Sequence, residues 1–450
     1  MRKNLAAIVL SAAAGCVTST TTTTTIQPGS TLVIADAAMY EKARGIHERV
    51  FTIDTHVDIP AQWSTTPQND ADSGTAQVTF RKMKQGGLDG AFFAVYVGQG
   101  ARTAAGDSSA KAAAMQKFHG IHRSVDTLYR DKIELAYQPE DVPKILSQGK
   151  LVAAIGIENG WVIGHDLTLI QKYYDLGARY MTLAHTSNND ICDSSTDPRG
   201  PEHNGLSAFG REVVREMNRV GMMVDVSHVS KQCMLQATAL SKSPVIASHS
   251  STTFIANVPR NFDDEMLRAI AANGGVMQTV AFASYVKVFP AQRDSEVARL
   301  NAEFYPADSI PVWRARADSV RGGGRAGVGG GRAGVGGGRG GGRGLPPLPS
   351  SLQPQYDRRM AEITAKYPPA SVHDFGDHID HAVKVAGIDH VGISSDFDGG
   401  GGIVGWNSAA ETFNVTLELV RRGYTEDQIA KLWGGNLLRV WGENTKRARR

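Results

Sequence analysis

Cysteine is nearly absent: Cys16, Cys192 and Cys233 are the three in a chain of 450 residues. That count excludes a disulfide framework and leaves one pairing to consider in an oxidising compartment, Cys192 with Cys233. Nothing in their spacing places these two within bonding distance, so the plain expectation is two free or half-buried thiols. A strong charge of one sign is also missing. Lys and Arg number 48 against 45 Asp and Glu, a net charge of +3. Part of that excess sits in one Arg/Gly segment and in the C-terminal tail, so the folded body offers no steering field for nucleic acid or a membrane surface. The N-terminal apolar run, residues 5–14, is too short to span a bilayer.

That run has a different meaning. Arg2 and Lys3 precede it and Ala13-Ala14-Gly15-Cys16 closes it, the pattern of an export signal over residues 1–16. Cys16 is then either the lipidated residue of a bacterial lipoprotein or the neighbour of an ordinary cleavage site. The expected location is the periplasm, or the membrane through that N-terminal lipid alone. Residues 17–33 are rich in Thr and are expected to be a structureless tether. Residues 34–445 hold one large domain, and residues 446–450 form a basic, solvated tail. Inside the domain, residues 321–350 are rich in Gly, Arg and Pro and repeat Gly-Gly-Gly-Arg-Ala-Gly-Val. Ordering so much glycine costs backbone entropy and buries nothing, so a flexible insertion is expected there.

From residue 50 onward, short apolar runs alternate with helical periodicity. Residues 50–53, 88–97, 151–157, 178–183, 222–226, 244–247, 275–280 and 390–394 read as strands. Residues 108–130, 166–176, 209–220, 231–240 and 263–272 read as helices between them. Apolar strands separated by helices imply a parallel sheet covered on both faces. About eight such units over this length favour an α/β fold of the closed (β/α)8 TIM barrel type over an open doubly wound sheet. Residues 297–304 and 355–366 are helical and form an excursion after the seventh strand.

Chemistry-bearing side chains gather where these strands end. His56 and Asp58, two apart on extended chain, point to one side and suit one face of a zinc ion. Alone, a His-x-Asp triplet is more often a hydrogen-bonded pair near a turn. Glu158, His228 and His249 follow at the ends of later strands, and five such ligands exceed what one tetrahedral zinc needs. Glu158 could bridge two ions, one held by His56 and Asp58, the other by His228 and His249. Two close cations would hold a hydroxide at neutral pH and polarise a carbonyl. Asp396, after the last strand, is a candidate acid/base, whereas Asp398 before Gly399 fits a turn. His185 could stabilise an oxyanion. Arg260 could clamp a substrate carboxylate through two parallel hydrogen bonds. Asp263 reads as a helix N-cap, and His119, His122, His203, His373, His378 and His381 as solvent-facing or structural.

These runs, Asp54-Thr-His-Val-Asp58, Gly156-Ile-Glu158, Tyr180-Met-Thr-Leu-Ala-His185, Asp225-Val-Ser-His228, Ser248-His-Ser-Ser251 and Gly392-Ile-Ser-Ser-Asp-Phe-Asp-Gly399, resemble the membrane (renal) dipeptidase family. These are the M19 metallopeptidases of the amidohydrolase superfamily. Gly435-Asn-Leu-Leu-Arg-Val-Trp441 fits as well. The resemblance implies a binuclear barrel with two zinc ions, one on His56, Asp58 and Glu158, the other on Glu158, His228 and His249. It implies that His185 meets the substrate or its oxyanion, that Arg260 binds the free C-terminal carboxylate, and that Asp396 moves the proton of the bridging water to the leaving nitrogen. The implied substrates are dipeptides, including those with a C-terminal D-residue, and a homodimer is compatible with it. The segment 282–285 departs from the family's substrate-facing Tyr and Asn pattern. Two other readings stand beside this one: an amidohydrolase of N-acyl amino acids or cyclic amides, and an envelope protein that binds metal without catalysis.

Overall fold

The computed structural model describes residues 23–25, 31–33, 37–60, 63, 71–72, 74–305 and 348–448. The segment expected to be an export signal lies outside the described residues, as does the Gly/Arg/Pro-rich stretch up to residue 347. Eight parallel strands form the body: β1 (Ile53–Asp58), β2 (Gly90–Tyr96), β3 (Leu151–Glu158), β4 (Ala178–Thr182), β5 (Met223–Asp225), β6 (Ile246–Ser250), β7 (Val276–Val280) and β8 (Val391–Ser394). Each pairs with its neighbour in sequence order. The seam between β8 and β1 is drawn together past the strand ends, where Val57 bridges Phe397 and Asp58 N donates to the Phe397 carbonyl at 2.9 Å. This is the (β/α)8 barrel expected from the alternation of apolar runs and helices.

Two apolar layers hold it. Ile53, Phe92, Val152, Ala154, Tyr180, Met223, Ile246 and Val276 form an inner cluster with Leu437, Val440 and Trp441 of the helix Asn436–Arg447. A larger layer lies between the strands and the surrounding helices, so both faces of the sheet are dry. Ser and Asp caps start two of the helices that follow the strands: Ser230 accepts from Cys233 N and Asp263 from Met266 N.

Several elements differ from expectation. The first strand includes His56 and Asp58 instead of stopping before them, and His249 likewise sits within β6. A ninth short strand, Ile133–Leu135, adds to the base of β3. It is too short to carry a readable period. Thr23–Thr25 pairs antiparallel with Thr31–Val33, so part of the Thr-rich stretch is a ribbon and not structureless chain. The last helix runs through Lys446 and Arg447, and Arg447 binds the Lys242 carbonyl at 2.7 Å, so the basic tail begins as helix. Cys192 and Cys233 form a disulfide across Cα atoms 6.1 Å apart, against the expectation of free thiols. Tertiary folding brings them together across a separation of 41 residues, and a loop of that length stabilises by about 4 kcal/mol in the chain-entropy picture. The helices Ala291–Phe304 and Gln353–Lys366 do form an excursion after β7, packed on their own small cluster around Leu300, Phe304 and Met360. No helix among the described residues is long and apolar enough to cross a membrane.

Candidate metal centre

Glu158 ends β3 inside the barrel mouth, 2% exposed, and four histidines converge on its two oxygens. His56 Nε2 lies 3.4 Å from Oε2. His228 Nε2, His185 Nε2 and His249 Nε2 lie 3.0, 3.2 and 3.5 Å from Oε1. His228 Nε2 and His249 Nε2 are 2.7 Å apart. Asp58 and Asp396 group with His56 on the other side. All seven residues lie at the C-terminal ends of the strands, where this architecture assembles its sites.

The backbone bends to achieve this. The pairing of β1 with β2 slips between Asp54 and Val57, and that of β6 with β7 slips where His249 stands. Such bulges re-aim a side chain that regular alternation would send elsewhere. His228 and Asp396 adopt left-handed φ of 66° and 58°, a conformation that residues with side chains hold only when their surroundings enforce it. Gly399 has no room for a side chain, since a Cβ there would stand 2.3 Å from Asp58 Oδ2 and 2.4 Å from Asp396 Oδ1.

Hydrogen bonds behind the cluster fix which ring nitrogens face it. Tyr180 donates its hydroxyl to the Thr55 carbonyl at 3.0 Å and so accepts from His56 Nδ1 at 2.8 Å. Ser248 donates to Asp225 Oδ2 at 2.6 Å and accepts from His249 Nδ1 at 2.8 Å. In the neutral rings both Nε2 atoms therefore present lone pairs to Glu158 and to one another. Such an arrangement suits shared cations, and backing hydrogen bonds of this kind orient metal-ligating imidazoles. His56 Nε2 and Asp58 Oδ1 are buried without a hydrogen-bond partner among the described residues, so the donor set fits a pair of divalent ions.

Carboxylate crowding dominates the electrostatics of the site while no cation shares it. Burial lowers the pKa of His56, but Glu158, then Asp396 and Asp58, carry it up to about 10. Burial, reinforced by Glu158, raises Asp58 to about 6. Burial also pushes Asp396 well above the carboxylate range, with Asp58 and Glu158 adding to the rise against the pull of His56. Three carboxylates share one dry space, and divalent cations would relieve that crowding.

Arg260 is buried beside this cluster. Its Nη2 donates to the His249 carbonyl at 2.8 Å and Nη1 to Ser250 Oγ at 3.2 Å, while the guanidinium lies 5.4 Å from the Tyr285 ring centre. Tyr285 stacks on Phe282 at 4.3 Å, so the segment that departed from the family pattern contributes aromatic rings beside Arg260. The structure thus brings together every residue singled out for the site. Asp398 does stand in a turn, with φ of 63°, and its carboxylate ties that turn to a distant segment by accepting from Gln77 N and Val78 N. The histidines set aside lie elsewhere; His378 is wholly buried between Thr252 and Val286.

Sequence reasoning assigned no role to Tyr180, Asp225 or Ser248, although all three stand in the quoted runs. Gly156 was the available signal for Tyr180: a Cβ there would meet the Tyr180 ring at about the same place as its hydroxyl, 2.0–2.4 Å away. Lys117 and Tyr96, which face the site from the β2 side, carried no signal at all.

A parallel barrel with carboxylate-bridged histidines at its mouth defines a metal-dependent hydrolase. The chain belongs to the membrane dipeptidase family, peptidase family M19, whose model matches residues 40–450. The metallo-dipeptidase class follows from that membership. Dipeptidase tcpJ of Claviceps purpurea is 28% identical over 371 residues, 81% of this chain and 69% of that protein. Dipeptidase verJ of Clonostachys rogersoniana is 39% identical over 207 residues, 45% of this chain and 53% of that protein. Among solved structures, the probable dipeptidase PvdM of Pseudomonas aeruginosa superposes with a TM-score of 0.73 at 30% identity, covering 91% of this chain and 99% of that one.

Proposed function

We propose that this chain is a zinc dipeptidase with two ions per chain, one on His56, Asp58 and Glu158 and one on Glu158, His228 and His249. The observation that carries this reading is Glu158, whose two oxygens face different histidines. When bound, the ions would supply an activated water and a polarised peptide carbonyl. The protein's own groups do the rest. Asp396, held in its strained conformation against Asp58, accepts the proton of the attacking water at its carboxylate and returns it to the leaving nitrogen. His185, through Nε2, meets the oxygen on which charge develops. Arg260 holds the substrate's C-terminal carboxylate and so sets the position of the scissile carbonyl.

The family resemblance supports acceptance of a D-residue at the C-terminal position. The export-type N-terminus and the Cys192–Cys233 disulfide support a bacterial envelope location, periplasmic or tethered through lipid on Cys16, because disulfides persist in oxidising compartments. Hydrolysis of L-Ala-L-Ala and L-Ala-D-Ala by purified protein, with and without a chelator, tests the reading. Metal-dependent turnover of both is expected. Turnover of N-acyl amino acids but of neither dipeptide would replace it with the alternative amidohydrolase reading.

A further inference from the structure

Lys117 lies on the helix Ala104–His122, which follows β2. It is 8% exposed, and no hydrogen bond or ion pair reaches its ammonium among the described residues. Its Nζ sits 5.4 Å from the centre of the Tyr96 ring, and that ring stands 4.7 Å from the His185 ring. A ladder of Lys117, Tyr96 and His185 thus leads from the helix into the metal site. The carboxylates whose field acts on Lys117 are Asp58 and Glu158, and both are committed to the centre. The Tyr96 ring face and the field of these two shared carboxylates are what the protein offers the ammonium, and it has no anion of its own.

The ring order shows where such an anion would come from. In the eight-membered ring β2 and β6 are opposite, and Arg260 follows β6 while Lys117 follows β2. By that ring order, a dipeptide held with its C-terminal carboxylate on Arg260 and its peptide bond over Glu158 would direct its first residue to the β2 side, where Tyr96 and Lys117 stand. We propose that Lys117 is a specificity-determining residue that binds a carboxylate on the side chain of the substrate's first residue, so that the enzyme favours dipeptides beginning with an acidic residue. Tyr96 forms the wall of that subsite. The assignment rests on the dipeptidase reading and adds to it a substrate class.

The test compares kcat/KM for Glu-Ala and Gln-Ala, which differ in charge and little in shape, in the zinc-loaded parent and in Lys117→Met. The parent should favour Glu-Ala by about tenfold or more, the worth of one charge-assisted hydrogen bond in a dry site. Lys117→Met should lose that preference, keep its Gln-Ala activity within about threefold and retain its zinc. Lys117→Arg should keep the preference. A parent that treats the two dipeptides alike overturns the assignment, and this outcome requires no variant to fold. Equal losses on both substrates in Lys117→Met, or loss of zinc, also overturn it, since Lys117 would then serve the metal site alone. Hydrolysis of neither dipeptide by a parent that turns over L-Ala-L-Ala would overturn the assignment alone, and failure on L-Ala-L-Ala and L-Ala-D-Ala as well would overturn the dipeptidase reading with it.

Discussion

Tyr180 and His56 are joined by a 2.8 Å hydrogen bond from the ring Nδ1 to the phenol oxygen, and the phenol's proton is committed to the Thr55 carbonyl at 3.0 Å. The bond runs between β4 and β1 through the barrel interior, and it leaves His56 only one nitrogen to offer the site. The hydroxyl of a buried core tyrosine thereby decides which nitrogen His56 presents to the site.

Tyr180→Phe keeps the ring that packs against Phe92 at 5.3 Å and removes only the oxygen. Metal affinity should fall about 10–100-fold, the usual cost of losing such a backing bond, with little change in thermal stability of the metal-loaded protein. Competition with a chelator measures it. Unchanged affinity would show that His56 is oriented by packing alone.

Asp396 and Arg260 should fail in different ways. Asp396→Asn keeps the shape and removes the base, so kcat should drop by about two to four orders of magnitude while metal content holds. Arg260→Lys cannot reproduce a two-point clamp. The parent should turn over a dipeptide amide poorly, and Arg260→Lys should lose little more on that amide while losing heavily on the free dipeptide. Equal losses on both substrates would remove the carboxylate-binding role.

His378 gives the protein a pH dependence away from the metals. Thr252 N donates to its Nδ1 at 3.1 Å, and its Nε2 meets the Val286 carbonyl at 2.9 Å. Protonating Nδ1 would set two N–H groups against each other. Burial lowers its pKa to about 4, below the unfolded value of about 6.5. The unfolded chain then binds the extra proton first, so the contribution is present above pH 6.5 and is lost as pH falls toward 4. Its full size is about 3 kcal/mol. Denaturant titrations of the parent and His378→Gln should show a stability difference that shrinks over that range; a constant difference would contradict the argument.

Much of this was legible in the chain. The alternation of apolar runs with helical periods yielded the eight strands, since strands buried on both faces leave long hydrophobic signals. The candidate ligands were legible because His56, Asp58, Glu158, His228 and His249 stand at the ends of those runs. What was hidden depends on groups far apart in sequence. Tyr180 looked like any core aromatic until its hydroxyl was seen beside His56, 124 residues away. Lys117 reads as one more polar position on a helix, and only the packing of that helix against the barrel turns it toward the site. The Cys192–Cys233 pairing is fixed by how the loop after β4 folds onto the helix after β5, which no local pattern encodes.

The central claim is that one carboxylate, Glu158, serves two metal ions. Metal analysis of the purified protein, repeated on Glu158→Gln, tests it most directly. The account predicts about two zinc equivalents in the parent, from five ligand side chains around a shared carboxylate, and loss from both sites with loss of dipeptide hydrolysis in the variant. A Glu158→Gln protein that kept both ions and full activity would contradict it.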